Sequence, residues 1–442
     1  MNALVANDTL DQTRELQNRL YRAAKRSPAR RFHALYDKVH REDFLWRAWV
    51  EVARNGGAPG IDGVTITQIE ERGVEGVKAF LGQLASELRS GTYRPLAVRR
   101  VAIPKPAGGE RLLGVPAVRD RVVQAATKLV VEPIFEADFL DCSYGFRPKR
   151  SAHMALESVQ TAVTMGRVWV VDADIASFFD SIRPEILRQA LAERISDRRV
   201  LKLIMGWLSA GVLEGRTLLH PEAGTPQGGV ISPLLANVVL HRLDRRWAAD
   251  HWRLGVLVRY ADDLVICCPT EERADAALAV LAEILSELGL SLSSAKTDVV
   301  DMRVPGAGFD FLGFHHRWMS SRLRKGVMYC ARWPSQRSVR AFRMRVRELT
   351  HPRRWSLSIQ FIVEDLNQFL LGWRGYFRRG NSTTVFHDLD EFVAERVARF
   401  ITKKHRRRTG RAFGLFVLSQ HQGPEIVRLV GSVGYGPVHA AG

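Results

Sequence analysis

Tyr260-Ala261-Asp262-Asp263 sets two adjacent carboxylates between two apolar runs, Gly255-Val256-Leu257-Val258-Arg259 before and Leu264-Val265-Ile266-Cys267-Cys268 after. Runs of this length around a short polar pair predict a tight hairpin. A buried strand end is a costly place for two negative charges unless a cation meets them, and a divalent metal ion satisfies that need. A second acidic group, Asp172-Ala173-Asp174, closes another apolar run, Val168-Trp169-Val170-Val171, and leads into Phe178-Phe179-Asp180. Two strands that each bring carboxylate to one place supply what two-ion phosphoryl transfer needs, one ion for the attacking hydroxyl and one for the leaving group. A lone Asp-Asp pair reads as a solvated turn, but these flanks are too apolar for that. Asp172 and Asp180 fit a helix cap or a surface charge better than a ligand.

The 442 residues leave room for two or three domains, and a 46% hydrophobic content supports real cores. A net charge of +18 argues for a polyanionic partner and says little about fold. Its distribution is more telling. Residues 322–411 hold 22 Lys and Arg against 7 Asp and Glu, so most of the excess sits in one stretch, with a smaller basic stretch between Arg19 and Arg41. Cys142, Cys267, Cys268 and Cys330 have neither a CxxC nor a zinc-ligand spacing, which suits a reducing compartment. No apolar stretch reaches 18 residues and the N-terminus lacks a secretory pattern, so a soluble, cytoplasmic protein with no membrane partner is expected.

Along the chain, residues 10–55 read as helical, with Leu16, Leu20 and Ala23, then Phe44, Leu45, Ala48 and Trp49, at helical spacing. Gly56-Gly57-Ala58-Pro59-Gly60 must be loop. A helix over 74–89 precedes a strand pair, 97–103 and 111–115, and helix returns over 120–135. Strands and helices alternate through the acidic strands to a helix near 272–288. After Phe314 the chain reads as Arg-rich helices, roughly 335–349, 357–372 and 386–404.

Nine blocks then carry a resemblance. Gly60-Ile61-Asp62-Gly63, Ile103-Pro104-Lys105-Pro106, Ser143-Tyr144-Gly145-Phe146-Arg147-Pro148 and Asp174-Ile175-Ala176-Ser177-Phe178-Phe179-Asp180 come first. Gly224-Thr225-Pro226-Gln227-Gly228-Gly229-Val230-Ile231-Ser232-Pro233, Tyr260-Ala261-Asp262-Asp263, Lys296-Thr297, Phe311-Leu312-Gly313-Phe314 and Gly372-Trp373-Arg374-Gly375-Tyr376-Phe377 follow. In this order they resemble the successive blocks of a bacterial group II intron reverse transcriptase with its maturase domain, over about residues 30–410.

The resemblance implies an α+β, right-hand polymerase: fingers and palm with an antiparallel palm sheet, then an α-helical thumb and maturase domain. It divides the chain into an N-terminal helical extension (1–55), fingers and palm (56–320), a basic thumb and maturase domain (321–412) and a tail (413–442). Asp174, Asp262 and Asp263 match the catalytic carboxylates that hold two Mg²⁺ ions, with Mn²⁺ as a substitute; oxygen donors suit Mg²⁺. Lys105 and Arg111 match positions that grip the incoming triphosphate, and a planar fork beside a mobile point charge suits a polyphosphate. Phe179 resembles the aromatic that leaves no room for a 2′-hydroxyl, while Phe178 reads as packing. Gln227 is placed near the templating base pair. Lys296 is either the general acid that protonates pyrophosphate or a surface lysine. Phe311, Leu312, Gly313 and Phe314 resemble the primer grip. Trp373 reads as core, whereas Arg374, Arg378, Arg379, Lys403 and Lys404 read as RNA contacts through phosphate.

The implied activity is RNA-directed DNA synthesis from deoxynucleoside triphosphates on an RNA template with a DNA primer, coupled to binding structured intron RNA and assisting its splicing and mobility. The chain departs from longer members in having no Cys/His-rich endonuclease cluster, so target nicking is not expected. Two alternatives stay open: a splicing-only RNA-binding maturase, and a host-adopted reverse transcriptase in DNA repair or phage defence.

Overall fold

The computed structural model describes residues 3–104, 110–214, 217–219, 228–321, 324–405 and 425–433. Two compact units divide the chain. The first comprises Met1–Ser151, Ala173–Leu264 and Asp275–Thr297, and the second comprises Ala152–Asp172, Val265–Ala274 and Asp298–Gly442.

In the first unit the apolar stretch after Ala117 becomes a helix, Val118–Glu136, buried on nearly every side. A helix apolar all round must be enclosed by others, and here Ala3–Arg26 and Glu42–Asn55 pack on it. Gln17 donates to the Leu129 carbonyl at 2.9 Å, and Lys25 donates to that of Ala137 at 2.9 Å. Asp197 ties two segments together: it accepts from the amides of Leu35 and Tyr36, and caps the Arg198–Ser209 helix through the amides of Arg199 and Val200. Burial alone would raise its pKa, but these four amides hold the carboxyl below its ordinary value.

Asp120, on the same central helix, behaves oppositely. Burial pushes its pKa up to about 6, against hydrogen bonds from the Tyr93 hydroxyl (2.6 Å) and the Leu96 amide (3.0 Å) and the charge of Arg119. The folded protein therefore keeps this proton up to about pH 6 while the unfolded chain releases it near 4, so this group's contribution to stability falls as pH rises through that window. The Asp120→Asn variant should accordingly gain about 1 kcal/mol relative to the parent between pH 5 and pH 7 in paired urea unfolding curves. A difference that does not change with pH would refute the assignment.

Strands β1 (Val98–Pro104) and β2 (Glu110–Val115) pair antiparallel from Arg99↔Val115 to Pro104↔Glu110. The acidic strand β3 (Trp169–Asp174) runs through Asp172-Ala173-Asp174, so Asp172 and Asp174 share a face and Ala173 takes the other. Strands β4 (Val212–Glu214) and β5 (Thr217–Leu219) pair antiparallel, and β4 joins β1 in parallel, giving the order β2-β1-β4-β5. Strands β6 (Val256–Tyr260) and β7 (Asp263–Cys268) make the hairpin read from the sequence, and β7 lies between β6 and β3.

In the second unit β3 pairs antiparallel with β8 (Asp298–Asp301) from Trp169↔Asp301 to Asp172↔Asp298. Strands β9 (Phe309–Phe311), β10 (Phe314–Ser320) and β11 (Met328–Pro334) form an antiparallel sheet in the order β11-β10-β9. The helical reading after Phe314 did not include β10 and β11: polar His315, His316 and Arg317 in one and Arg332 in the other hide the strand pattern. The Ala152–Thr164 helix packs on β11, with Gln160 donating to the Cys330 carbonyl at 3.0 Å.

The three helices expected after Phe314 form as Gln336–Leu349, Ile359–Phe377 and Thr383–Lys404, but only the first is rich in Arg, and the second holds Arg374 alone. Ser335 and Ser358 cap the first two through their hydroxyls. Phe342, Trp373, Phe377 and Phe386 fill the space among them, with ring centroids 4.4–5.5 Å apart. A further segment, 425–433, docks here. Asn367 exchanges hydrogen bonds with Glu425 and Val427, Asp390 accepts from the amides of Leu429 and Val430, and Leu429 is fully buried. Among the described residues no helix is long and apolar enough to cross a membrane.

Candidate active site

The β6–β7 turn consists of Ala261 and Asp262. Ala261 sits at φ +58°, a left-handed conformation that hairpin turns ordinarily assign to Gly, Asn or Asp. The surroundings hold it there. A Cβ on Gly145 would lie 2.5 Å from the Ala261 nitrogen, so only glycine lets the 143–148 block approach the turn this closely. That block is locked to β6 by two hydrogen bonds, Arg259 N–H to the Cys142 carbonyl at 2.7 Å and Tyr144 N–H to the Arg259 carbonyl at 2.8 Å.

Beneath the turn lies Arg259, fully buried inside an otherwise apolar strand. Its guanidinium forks onto Asp244, with Nε to Oδ1 at 2.8 Å and Nη2 to Oδ2 at 2.5 Å, and both side chains are wholly enclosed. It also donates to Asn237 Oδ1 (2.9 Å), Ser143 Oγ (2.7 Å) and the Ala261 carbonyl (3.1 Å). Asn237 in turn donates to the Gly145 carbonyl at 2.8 Å. Burial works against the charge on Arg259, but the facing Asp244 outweighs it and keeps the pKa above its ordinary value. One buried cation thus fixes both the left-handed residue and the block packed on it.

On this support Asp262 is half-buried and Asp263 exposed, as alternate residues entering a strand should be. Asp174, at the end of the neighbouring strand β3, is half-buried, and the Lys296 ammonium stands 2.6 Å from its Oδ2. The contact is set by backbone: the Ser293 amide donates to the Asp174 carbonyl at 2.8 Å, and a tight turn from Ser293 to Lys296 brings the lysine back. Lys296 is mostly exposed, so the pair contributes little to stability. What it shows is a carboxylate already facing a cation.

Among the described residues no three His, Cys, Asp or Glu side chains gather closely enough to hold an ion by themselves. The donor set is nonetheless all carboxylate oxygen. That fits Mg²⁺, which is bound through one or two carboxylates with waters and substrate phosphates completing its shell. Phe178 is buried and Phe179 partly accessible, their rings 5.2 Å apart. Lys105 and Gln227 lie outside the described residues, as do the side chains of Arg111 and Asp180; the Arg111 backbone pairs with Ile103 in β2. The end of the Gln227 block is visible: Gly228, at φ +124°, packs on the Gly114 carbonyl where a Cβ would come within 2.6 Å, and Val230 N–H donates to Gln124 at 2.9 Å.

In the second unit Phe311 and Phe314 are buried, the latter against Phe377 at 4.9 Å. The accessible part of that block is the turn, Leu312 (φ +48°) and Gly313 (φ +79°), whose carbonyls are held by Tyr376 and Ser338. Of the basic residues, Arg378, Arg379 and Lys403 are exposed. Arg374 donates to the Arg428 carbonyl, and Lys404 to those of Trp355 and Leu357 at 2.6 Å each. Sequence reasoning gave no role to Arg259, Asp244, Asn237 or Ser143. The available signal was an arginine inside a core strand and an aspartate at the end of the apolar Ser232–Arg246 helix.

Residues 103–316 match the family described as reverse transcriptase (RNA-dependent DNA polymerase), and residues 339–414 match the group II intron maturase-specific domain. Protein YkfC of Escherichia coli (strain K12) is 35% identical over 367 residues, covering 74% of this chain and 94% of that protein. Group II intron-encoded protein LtrA of Lactococcus lactis subsp. cremoris is 36% identical over 215 residues, 48% of this chain and 35% of LtrA, so the match spans about a third of that relative. A 91 kDa protein in the cob intron of Schizosaccharomyces pombe is 39% identical over 164 residues, 37% of this chain and 20% of that protein. The acidic turn and the basic helices that follow it thus fall inside two matched domains in their expected order, and the chain belongs to the family of group II intron-type reverse transcriptases with a maturase domain.

Proposed function

We propose that this chain is an RNA-directed DNA polymerase of right-hand form that also binds group II intron RNA and assists its splicing and mobility. The observation that carries the reading is the acidic turn Asp262-Asp263 on a strand beside Asp174, held in a strained geometry by the buried Arg259 network. Strain retained at a rigidly supported turn belongs to sites whose geometry does chemistry. Asp174, Asp262 and Asp263 are the residues that would hold two Mg²⁺ ions, with Mn²⁺ as a substitute. When bound, the metal supplies activation of the primer 3′-hydroxyl and neutralisation of the leaving pyrophosphate.

The chain's own groups do the rest. Lys296, whose ammonium stands at Asp174 Oδ2, is the proton donor to the pyrophosphate. Phe179, accessible beside buried Phe178, excludes a 2′-hydroxyl and so selects deoxynucleotides. Lys105, Arg111 and Gln227 bind the incoming nucleotide, and the Leu312-Gly313 turn carries the primer grip.

Intron RNA is bound by the basic helical region mainly through phosphates. Arg378, Arg379 and Lys403 make these contacts, while Arg374 and Lys404 are engaged by backbone carbonyls and steady the domain. Replacing Arg378, Arg379 and Lys403 together by alanine should flatten the slope of log affinity against log salt for a structured intron RNA by about two to three units. Lys404→Ala should lower thermal stability and leave that slope nearly unchanged. An unchanged slope in the triple variant would remove the RNA-binding half of the reading.

A further inference from the structure

The Ser143–Pro148 block places an aromatic ring beside the acidic turn that no role above uses. Phe146 is 53% exposed and its backbone sits at φ +54°. An exposed phenylalanine forgoes burial, and a left-handed backbone is a strained place for one. Its neighbours impose both conditions. Gly145 is wedged against the Ala261 backbone with its carbonyl held by Asn237. Arg147 is buried, forked onto Glu136 at 2.8 and 3.0 Å, and donates to the carbonyls of Ser143, Leu140 and Phe139. With both flanks fixed, the Phe146 ring is held out into solvent, tilted against Tyr260 at 6.3 Å between centroids.

We infer that Phe146, with Tyr260, forms a stacking platform for the primer's 3′-terminal nucleotide. This rests on the polymerase reading. A presented aromatic face is the chemistry that recognises a nucleobase or its sugar, and it does so without regard to sequence. The primer terminus is favoured over the incoming nucleotide by position: Phe146 leans on Tyr260, immediately before the turn that carries Asp262, whereas the residues assigned to the incoming nucleotide come from other segments. The platform fixes the sugar whose 3′-hydroxyl must reach the acidic turn.

The test uses the full-length protein, a DNA primer on an RNA template with 2-aminopurine at the primer 3′ end, and no nucleotide. Phe146→Ala should weaken duplex binding about ten-fold or more and relieve quenching of the 2-aminopurine, and Phe146→Tyr should restore both. Phe146→Gly, which relaxes the left-handed backbone, should melt no lower than the parent while showing the same binding loss. A packing residue would do the reverse, with lower melting and unchanged quenching, and that result overturns the inference. So does a defect confined to the KM of the incoming deoxynucleotide. Because binding is read without turnover, a parent protein that extends primers alongside a Phe146→Ala variant that binds normally rejects this inference alone, whereas a parent that never extends rejects the polymerase reading.

Discussion

Replacing Asp262 or Asp174 by alanine is expected to abolish primer extension on an RNA template, with a loss of at least 10³-fold, or about 4 kcal/mol in barrier. Each substitution removes one of the three carboxylates proposed to hold the ions, and Mg²⁺ depends on such hard oxygen donors. Folding should survive: both carboxylates are only half-buried, and Lys296, the partner of Asp174, is mostly exposed. Asp263, the more exposed of the adjacent pair, should show the smaller effect. Single-turnover extension, with circular dichroism as the folding control, measures this directly. Extension by Asp262→Ala at near the parent rate would show that the turn carries no ligand.

The largest effect on stability is expected at Asp244. Asp244→Ala leaves the fully enclosed Arg259 guanidinium without its countercharge, and breaking a buried pair from one side costs about 3–5 kcal/mol. Urea unfolding should show the loss as a lower midpoint. A double variant, Asp244→Leu with Arg259→Met, should recover much of it, because replacing both partners by apolar groups removes the uncompensated charge. The recovered protein should still polymerise poorly, since the Ala261 carbonyl has lost its donor and the left-handed turn its support. A fall of less than about 1 kcal/mol in Asp244→Ala would mean that the pair is not the anchor described.

Much of the molecule was legible because its signals are local. The Val118–Glu136 helix, the β6–β7 hairpin and the three helices after Ser335 each announce themselves in a short window of apolar spacing, capping serine or flanking glycine. The β10–β11 pair does not, since its histidines and arginines break the alternation and only its partners across the sheet make sense of them. The same holds at the site. Asp174 and Asp262 are proposed as ligands from residue type alone, whereas Arg259, Asp244, Asn237 and Ser143 come from three segments that meet only in the fold. The sequence also treated five basic residues as equals. Packing separates them, because Arg374 and Lys404 find carbonyl partners that no spacing rule identifies.

The acidic turn is proposed to carry out DNA synthesis directed by RNA. The most direct measurement is extension of a DNA primer annealed to an RNA template by the purified parent protein, with Mg²⁺ and either deoxynucleoside or ribonucleoside triphosphates. Extension with deoxynucleotides is expected, with none after chelation of the metal and strong discrimination against ribonucleotides. Tight binding of structured intron RNA by a folded protein that adds no nucleotide in Mg²⁺ or Mn²⁺ would contradict it, and would leave a splicing factor whose polymerase site is idle.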